Sequence, residues 1–289
     1  MAAKELAVGF MGLGSMGYPI AARLLRRAPN LAVWNKSESV ASKHATAYGS
    51  RAVAFDDMAS AGVVFMCLPS TDESGQLCRA LAAIATGPIT FVDLSSGNFE
   101  DSRRIEDDMR TKNCRYIDSP VSGGPAGASE GIVTSMVGAP ELDRPIRELV
   151  ETYSKNIVYC GGVGSGNAIK CVNNYLNVSH LMLASDALLG LKSKGIDPAT
   201  ALKAINTSSG RSLQTEVRIP TEVMTGQYNY GFKLQLMRKD VLNAKSIVQE
   251  GLFFDAMTKP LVVPEHAASE CDYTAIVHDL EKSWKVTLP

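Results

Sequence analysis

The chain has 289 residues, a net charge of -1, 45% hydrophobic residues and 20% charged residues. A chain of this length can bury a large core and is typical of two domains, and its composition is that of a globular protein. The near-neutral charge argues against a strongly basic nucleic-acid binder, and no apolar run reaches the roughly 18 residues of a membrane span. We therefore expect neither nucleic-acid nor membrane partners.

Six cysteines and four histidines are scattered along the chain. The cysteines form no Cys-x-x-Cys pair and lie mostly in apolar runs, so we expect reduced thiols. No cluster of His, Cys, Asp and Glu has metal-ligand spacing, so no metal site is predicted. A glycine motif begins at Gly9, which leaves no room for a targeting segment before it. A cytoplasmic location is the expectation.

The first half of the chain alternates predicted strands and helices. Helices are expected after the first glycine turn, up to about Arg27, and over about 100–112. Strands are predicted at 6–11, 31–35, 63–68, 89–94, 115–118, 133–137 and 157–159. Such alternation predicts an α/β domain with a doubly wound parallel sheet of Rossmann type over residues 1–163. Little helix separates the late strands, so part of the sheet is expected to be antiparallel.

After Gly164 the pattern becomes helical. One long helix is predicted over 168–194 with Gly195 as its C-cap, and Asp197-Pro198 predicts the N-cap and first residue of the next helix. No strand is predicted beyond it. The expected helix breaks lie near Gly210, Pro220, Gly226 and Pro264. Residues 164–289 are therefore predicted to form an all-α substrate and dimerisation domain that the long helix joins to the first.

The glycine motif has the pattern of a dinucleotide site. Gly12, Gly14 and Gly17 follow a strand and open a helix, and Leu13, Ser15 and Met16 complete the loop. The first glycine allows a tight turn, the second lets the backbone approach a pyrophosphate, and the third lets the helix pack against the strand. The alternative is a glycine turn with a structural role only.

The end of the second strand bears on the choice between NADP and NAD. An acidic residue there would bind the ribose 2′-hydroxyl and repel a 2′-phosphate. This chain has Asn35, Lys36 and Ser37 instead, which can pair with a phosphate or donate hydrogen bonds to it. NADP is therefore the preferred cofactor and NAD the alternative. Lys36 could also be only a solvated loop charge.

Lys170 and Asn174 lie four residues apart and so share one face of the long helix. Lys170 can give a proton to a carbonyl oxygen that receives a hydride, and can take it back in the oxidative direction. Asn174 can orient that oxygen. On a helix, however, such a pair is more often a surface feature.

A third segment follows the strand that ends at Asp118. Backbone N–H groups at Ser122, Gly123 and Gly124, with the Ser122 hydroxyl, are predicted to form an anion nest for a carboxylate. The alternative is a plain loop.

These three segments, in this order, resemble the β-hydroxyacid dehydrogenase family, which includes 3-hydroxyisobutyrate dehydrogenase and tartronate semialdehyde reductase. The matching runs are Gly9–Gly17, Asp118–Gly124 and Gly164–Asn174, and Phe232-Lys233-Leu234 followed by Lys239-Asp240 is a fourth. The resemblance covers essentially the whole chain. It implies a site between the two domains. The long helix from Ala168 and the apolar helical domain predict a dimer or tetramer.

The resemblance also implies roles for single residues. Lys170 is the general acid/base, Asn174 contacts the reacting oxygen, and Ser122, Gly123 and Gly124 hold the substrate carboxylate. Lys239 is implied to reach cofactor and substrate; its alternative is a salt bridge to a surface acid. Three residues are implied to lie beside the cofactor: Leu68 and Pro69 near its adenosine half, and Ser96 near the nicotinamide, where the family usually has threonine.

The implied activity is an NAD(P)-dependent interconversion of a small 3-hydroxy acid and its semialdehyde. The run from Asn206 to Ser212 resembles the 3-hydroxyisobutyrate branch, in which Arg211 could neutralise a second anionic group. The alternatives are a reductase of glyoxylate, succinic semialdehyde or tartronate semialdehyde, and a non-catalytic NADP-binding regulatory homologue. Imine reductases on this scaffold usually lack the lysine, 6-phosphogluconate dehydrogenases have a much longer helical domain, and a nucleophilic role for Cys171 has no histidine nearby to support it.

Overall fold

The computed structural model describes residues 6–248, 250–262 and 270–289. The chain divides into two compact units, Met1–Cys171 (unit 1) and Val172–Pro289 (unit 2). The predicted domain boundary at residues 163–164 lies just before a long helix, whereas the two units divide inside that helix.

Unit 1 contains a six-stranded parallel sheet with the order β3-β2-β1-β4-β5-β6. Residues that alternate along its strands enter two different cores: Phe10 and Phe65 lie in one, and Met11 and Met66 in the other. Both faces are thus covered, which explains why β1 and β4 are apolar at every position. The strands are β1 Val8–Met11, β2 Ala32–Trp34, β3 Arg51–Ala52, β4 Val63–Met66, β5 Thr90–Asp93 and β6 Arg115–Asp118.

Helices connect these strands and complete the predicted doubly wound architecture. The predicted helix up to about Arg27 ends earlier, at Leu24, and the predicted helix at 100–112 corresponds to Phe99–Thr111. The helices of this layer are α1 Gly17–Leu24, α2 Glu38–Tyr48, α3 Thr71–Ile84 and α4 Phe99–Thr111.

The late strands of unit 1 form a separate three-stranded sheet, not an extension of the first. In it β7 (Val121–Ser122) is antiparallel to β8 (Val133–Val137), which is parallel to β9 (Ser154–Tyr159). Two short helices connect these strands, α5 (Gly124–Glu130) and α6 (Arg144–Val150). The antiparallel part was predicted, but the two-residue strand β7 is too short to give a sequence pattern.

The long helix α7 spans Ser165–Ser193, close to the predicted 168–194. Gly195 follows it with a φ of 84°, and its N–H donates to the Lys192 carbonyl, as expected of a C-cap. Asp197 accepts a hydrogen bond from the Thr200 N–H at 2.9 Å, and Pro198 opens α8 (Pro198–Asn206). Both predicted caps are confirmed.

The other elements described in unit 2 are helical, apart from an isolated bridge between Lys233 and Asp272. A π-helical segment covers Gln214–Val223, and α9 Leu234–Val248, α10 Phe254–Thr258 and α11 Val277–Trp284 follow. None of the helices in the described part of the chain has the length and apolar content needed to span a bilayer.

The predicted helix break at Pro220 is wrong, because Pro220 lies inside the π-helical segment. In this segment a carbonyl bonds to the N–H five residues on, as from the Met224 N–H to the Ile219 oxygen. Pro220 has no N–H for the Thr215 carbonyl, and Asn206 Nδ2 donates to that carbonyl at 2.9 Å instead. Gly226, with a φ of 68°, follows the segment as expected. Pro264 lies outside the described residues.

Candidate functional site

The predicted site residues of unit 1 cluster at one edge of the six-stranded sheet. Its strands are parallel, so the loops after β1, β2, β4, β5 and β6 all leave from their carboxyl ends. The strand order reverses direction between β1 and β4, which is the switch point where doubly wound sheets bind ligands.

In the glycine loop after β1, two of the three glycines are required by contacts within the protein. Gly12 has a φ of 91°, and a Cβ there would be 2.3 Å from the Cys67 carbonyl oxygen; at Gly17 it would be 1.9 Å from the Gly12 oxygen. A Cβ at Gly14, by contrast, would meet no atom within 4 Å. Gly14 and Ser15 are exposed, and their neighbours Leu13 and Met16 pack in the core beneath the loop. The loop therefore leaves open space where a pyrophosphate would approach, and it fits a dinucleotide.

Asn35 ties the glycine loop to the segment after β2. Its Oδ1 accepts a hydrogen bond from the Leu13 N–H at 2.9 Å, and its Nδ2 donates to the Ser37 carbonyl at 3.2 Å. Besides its predicted hydrogen bond to a phosphate, the Asn35 side chain thus makes two hydrogen bonds within the protein. Lys36 and Ser37 are exposed, and the Ser37 hydroxyl lies 3.1 Å from that of Ser39.

The loops after β4 and β5 are joined by a serine. Ser95 Oγ accepts a hydrogen bond from the Leu68 N–H at 2.8 Å, and the Ser95 N–H donates to Asp93 Oδ1 at 3.0 Å. Pro69, which follows Leu68, is exposed. Ser96, which follows Ser95, is half-buried. Burial raises the pKa of the Asp93 carboxyl, while hydrogen bonds from serines and from Tyr116 oppose the rise.

The predicted anion nest begins four residues after β6 ends. Ser122 is half-buried and is the last residue of β7. Gly123 and Gly124 have φ angles of 144° and 67°, which side chains rarely adopt. A Cβ at Gly123 would also be 3.1 Å from Val133 Cγ1. The loop shape therefore depends on glycine at these two positions.

Lys170 is half-buried in the second turn of α7. The turn before it is anchored within unit 1 by Asn167, whose Oδ1 accepts from the Gly97 N–H at 3.0 Å and whose Nδ2 donates to Ser102 Oγ at 2.9 Å. Cys171 is buried, and its thiol donates to the Gly97 carbonyl at 3.2 Å. This is a packing role, which gives no support to Cys171 as a nucleophile.

In unit 2, Asn174 and Lys239 meet at one buried carboxylate. Asp240 is fully buried, and its Oδ2 accepts a hydrogen bond from Asn174 Nδ2 at 2.6 Å. Its Oδ1 lies 3.2 Å from Lys239 Nζ. Lys239 therefore forms a salt bridge with a buried acid.

The fourth family-like run is anchored by its backbone. The Phe232 carbonyl accepts from the Tyr273 N–H at 2.8 Å, and Lys233 forms an ion pair with Glu270. Arg211 is exposed in unit 2.

Three residues with clear positions at the site carry no sequence prediction of a role: Asp118, Asn167 and Asp240. Their only sequence signal is that each one lies within a run that matches the family. No group of three or more His, Cys, Asp or Glu side chains within the described residues could hold a metal ion; His266 lies outside them.

The fold and the glycine loop define a nicotinamide dinucleotide-dependent oxidoreductase. Residues 7–162 match a family model described as the NAD binding domain of 6-phosphogluconate dehydrogenase. Residues 164–258 match a model described as the NAD-binding region of NADP-dependent 3-hydroxyisobutyrate dehydrogenase. The chain belongs to the β-hydroxyacid dehydrogenase family and is an NAD(P)-dependent 3-hydroxyacid dehydrogenase.

Individual relatives agree with this assignment. The chain is 32% identical over 256 residues to 2-(hydroxymethyl)glutarate dehydrogenase of Eubacterium barkeri. The aligned region covers 86% of this chain and 84% of that protein. It is 31% identical over 269 residues to a probable mitochondrial 3-hydroxyisobutyrate dehydrogenase of Arabidopsis thaliana, covering 84% and 77%. The 3-hydroxyisobutyrate dehydrogenase of Mycobacterium tuberculosis, solved with L-serine, shares the fold with a TM-score of 0.84 at 24% identity, covering 95% and 99%.

Proposed function

We propose that this enzyme interconverts a small 3-hydroxy acid of the 3-hydroxyisobutyrate type and its semialdehyde, with Lys170 as general acid/base. One observation in unit 1 carries the proposal. The strand β6 leads directly to the loop with Ser122, Gly123 and Gly124, and the residue at its end, Asp118, also holds the start of α7 one turn before Lys170. The proposed carboxylate site and proton donor thus share one anchor.

The proposed chemistry assigns one task to each group. When bound, the nicotinamide supplies a hydride to the carbonyl carbon or takes it back. In the reductive direction the Lys170 ammonium gives a proton to the carbonyl oxygen, which produces an alcohol and a neutral lysine. Asn174 donates a hydrogen bond to the same oxygen, with its amide oriented by Asp240. The backbone at Ser122–Gly124 binds the substrate carboxylate.

The names of two relatives support the substrate class. 2-(Hydroxymethyl)glutarate and 3-hydroxyisobutyrate both carry a CH2OH group on the carbon next to a carboxylate. The shared unit is a primary alcohol whose carbon is bonded to the α-carbon of a carboxylate. We propose this unit as the part of the substrate that the enzyme recognises.

NADP is the proposed preferred cofactor, with NAD as the alternative. No carboxylate lies between Val33 and Ser37, and Lys36 is exposed beside the loop that Asn35 ties to the glycine motif. The family model that matches the second part of the chain is described as NADP-dependent. An exposed lysine near the ribose would favour a 2′-phosphate.

A homodimer or homotetramer is also proposed. Ile169, Leu176 and Leu183 follow each other at seven-residue intervals on α7 and are each close to half exposed. Light scattering on the purified protein would test this, and a monomer would contradict it. Cys78, Cys114 and Cys160 are free thiols, which supports the proposed cytoplasmic location.

The substrate test measures oxidation of NADPH and NADH by absorbance against a panel of carbonyls. The panel contains methylmalonate semialdehyde, tartronate semialdehyde, succinic semialdehyde, glyoxylate and a cyclic imine. We expect fastest turnover of methylmalonate semialdehyde with NADPH. Preference for another semialdehyde would move the enzyme to another branch, and turnover of the imine alone would refute the proposed chemistry.

The role of Lys170 is tested with Lys170→Ala. We expect kcat to fall by about 10²–10⁴-fold, while the Kd for NADPH changes by less than about twofold. Lys203→Ala is the matched control, because Lys203 is an exposed lysine on α8. A kcat equal to that of the wild type would exclude Lys170 as the proton donor.

A further inference from the structure

The start of α7 is capped by a residue from a distant strand. The first hydrogen bond within the helix runs from the Ala168 N–H to the Gly164 carbonyl, so Gly164 is the N-cap and Asn167 the third helical residue. Glycine has no side chain to accept the orphan N–H groups. Asp118 at the end of β6 accepts hydrogen bonds from two of these N–H groups. Its Oδ1 lies 2.7 Å from the Gly164 nitrogen, and its Oδ2 lies 2.8 Å from the Asn167 nitrogen.

This arrangement replaces a capping box. In a capping box the N-cap side chain binds the N–H of the third residue, and the third side chain binds the N–H of the N-cap. Here one carboxylate makes both bonds, 46 and 49 residues away in sequence. The Asn167 side chain is thereby left to bind Gly97 and Ser102.

Two surrounding glycines leave the space that the carboxylate occupies. A Cβ at Gly138 would be 1.9 Å from Asp118 Oδ1, and a Cβ at Gly166 would be 2.9 Å from Asp118 Oδ2 and 2.2 Å from the Met136 oxygen. Asp118 itself is fully buried. A side chain at Gly138 would displace the Asp118 carboxylate, and one at Gly166 would force the start of α7 away from the Met136 carbonyl.

We propose that Asp118 is a positioning residue for the reaction: it fixes the first turn of α7 and with it the Lys170 side chain relative to the loop at Ser122–Gly124. The inference rests on the proposed role of Lys170. It adds that activity depends on a carboxylate that touches neither substrate nor cofactor. Small displacements of a reacting group cost up to about 10²-fold in rate, so a displaced first turn is expected to lower kcat.

Asp118 is also expected to respond to pH. Burial raises the pKa of its carboxyl to about 6, with the nearby Asp93 carboxylate adding to the rise and the Gly164 and Asn167 N–H groups opposing it. Tyr116 on the same strand and Cys160 after β9 also interact electrostatically with Asp118. Protonation leaves the carboxyl with a weaker hold on two N–H donors, so activity should rise as the pH passes about 6.

Stability should change in the opposite sense. Asp118 binds its proton more tightly in the folded protein than in the unfolded chain, where an aspartate has a pKa of about 3.9. Its contribution to stability is therefore full below about pH 4 and is lost as the pH rises through about 6. A residue with a purely structural role would not raise activity while it lowers stability over the same pH range.

The test compares wild type, Asp118→Asn and the matched control Asp197→Asn, which removes the charge from another helix N-cap. For Asp118→Asn we expect kcat to fall by about 10- to 100-fold with KM for the cofactor nearly unchanged, and the acid limb of kcat near pH 6 to disappear. Asp197→Asn should keep both. A wild-type kcat and acid limb in Asp118→Asn would overturn the proposal.

Hydrogen exchange separates this proposal from the proposed function. In the wild type, protection of the amides at residues 164–168 is expected to increase from pH 5 to pH 7, while protection of the Thr200 amide, which Asp197 caps, stays constant. This measurement needs no substrate and no variant, so it holds if no semialdehyde is turned over or if Asp118→Asn fails to fold. Protection at 164–168 that does not change with pH would refute the capping role.

Discussion

The three glycines of the loop after β1 should respond differently to the same small change. Alanine at Gly14 adds a methyl group where no atom lies within 4 Å, and Gly14 does not have a positive φ. We therefore expect Gly14→Ala to change the free energy of unfolding by no more than about 0.5 kcal/mol. The methyl group should nevertheless project into the space that a bound pyrophosphate needs. A misfit of about 1–3 kcal/mol would weaken NADPH binding roughly 5- to 150-fold.

Alanine at Gly17 should act on the fold instead. Its Cβ would be 1.9 Å from the Gly12 carbonyl oxygen, which is a backbone atom and cannot rotate away. The helix α1 would have to move from β1, at a cost of about 3 kcal/mol or more. Gly12→Ala should destabilise the fold for two reasons. Its Cβ would be 2.3 Å from the Cys67 oxygen, and alanine in this left-handed conformation costs a further sum of about 1–2 kcal/mol of unfolding free energy.

Two measurements on each variant decide the matter. Denaturant unfolding monitored by circular dichroism gives relative stability, and titration of NADPH fluorescence gives Kd. Gly87→Ala is the matched control, because its Cβ would also meet nothing within 4 Å but lies outside the proposed site. If Gly14→Ala binds NADPH as the wild type does, or loses as much stability as Gly17→Ala, the steric reasoning for this loop is refuted.

Two further predictions concern cofactor choice and the helical unit. Lys36→Asp should lower the preference for NADPH over NADH by at least about tenfold in kcat/KM, because it replaces a phosphate partner with a repelling charge; an unchanged ratio would show that Lys36 does not contact the 2′-phosphate. A double-mutant cycle of Asn174→Ala and Asp240→Ala should give a coupling energy of about 1.5–3 kcal/mol in unfolding free energy, since a buried charged hydrogen bond of 2.6 Å joins the two. Additive effects within about 0.5 kcal/mol would show that Asp240 does not orient Asn174.

The sequence was most informative where structure depends on neighbouring residues. The strands β6 and β8 lie at the predicted positions, and Gly195, Asp197 and Pro198 form the predicted caps. Each of these signals depends on side-chain pattern or backbone conformation within a few residues, which a single chain displays directly. The family resemblance then identified the class of enzyme from the spacing of three such local motifs.

Sequence reasoning did not find residues whose role depends on distant contacts. In the sequence Asp118 is only the first residue of a matched run, because its partners Gly164 and Asn167 lie on another element. Asn35 was predicted to face a phosphate, and its bond to the Leu13 N–H could not be inferred from spacing alone. The π-helical segment around Pro220 was missed for a related reason: packing of unit 2 overrides the usual effect of proline.

The two proposed catalytic side chains on α7 are each held by a buried carboxylate, Lys170 through the helix cap at Asp118 and Asn174 by direct contact with Asp240. Buried carboxylates cost desolvation energy, and an apolar or amide side chain of similar size would often give equal or greater stability. A fold selected for stability alone would have little reason to keep either one. Their value lies in direction: a carboxylate accepts two hydrogen bonds at fixed angles and so fixes a helix turn or an amide in one orientation. That precision is what a proton transfer to a single oxygen requires.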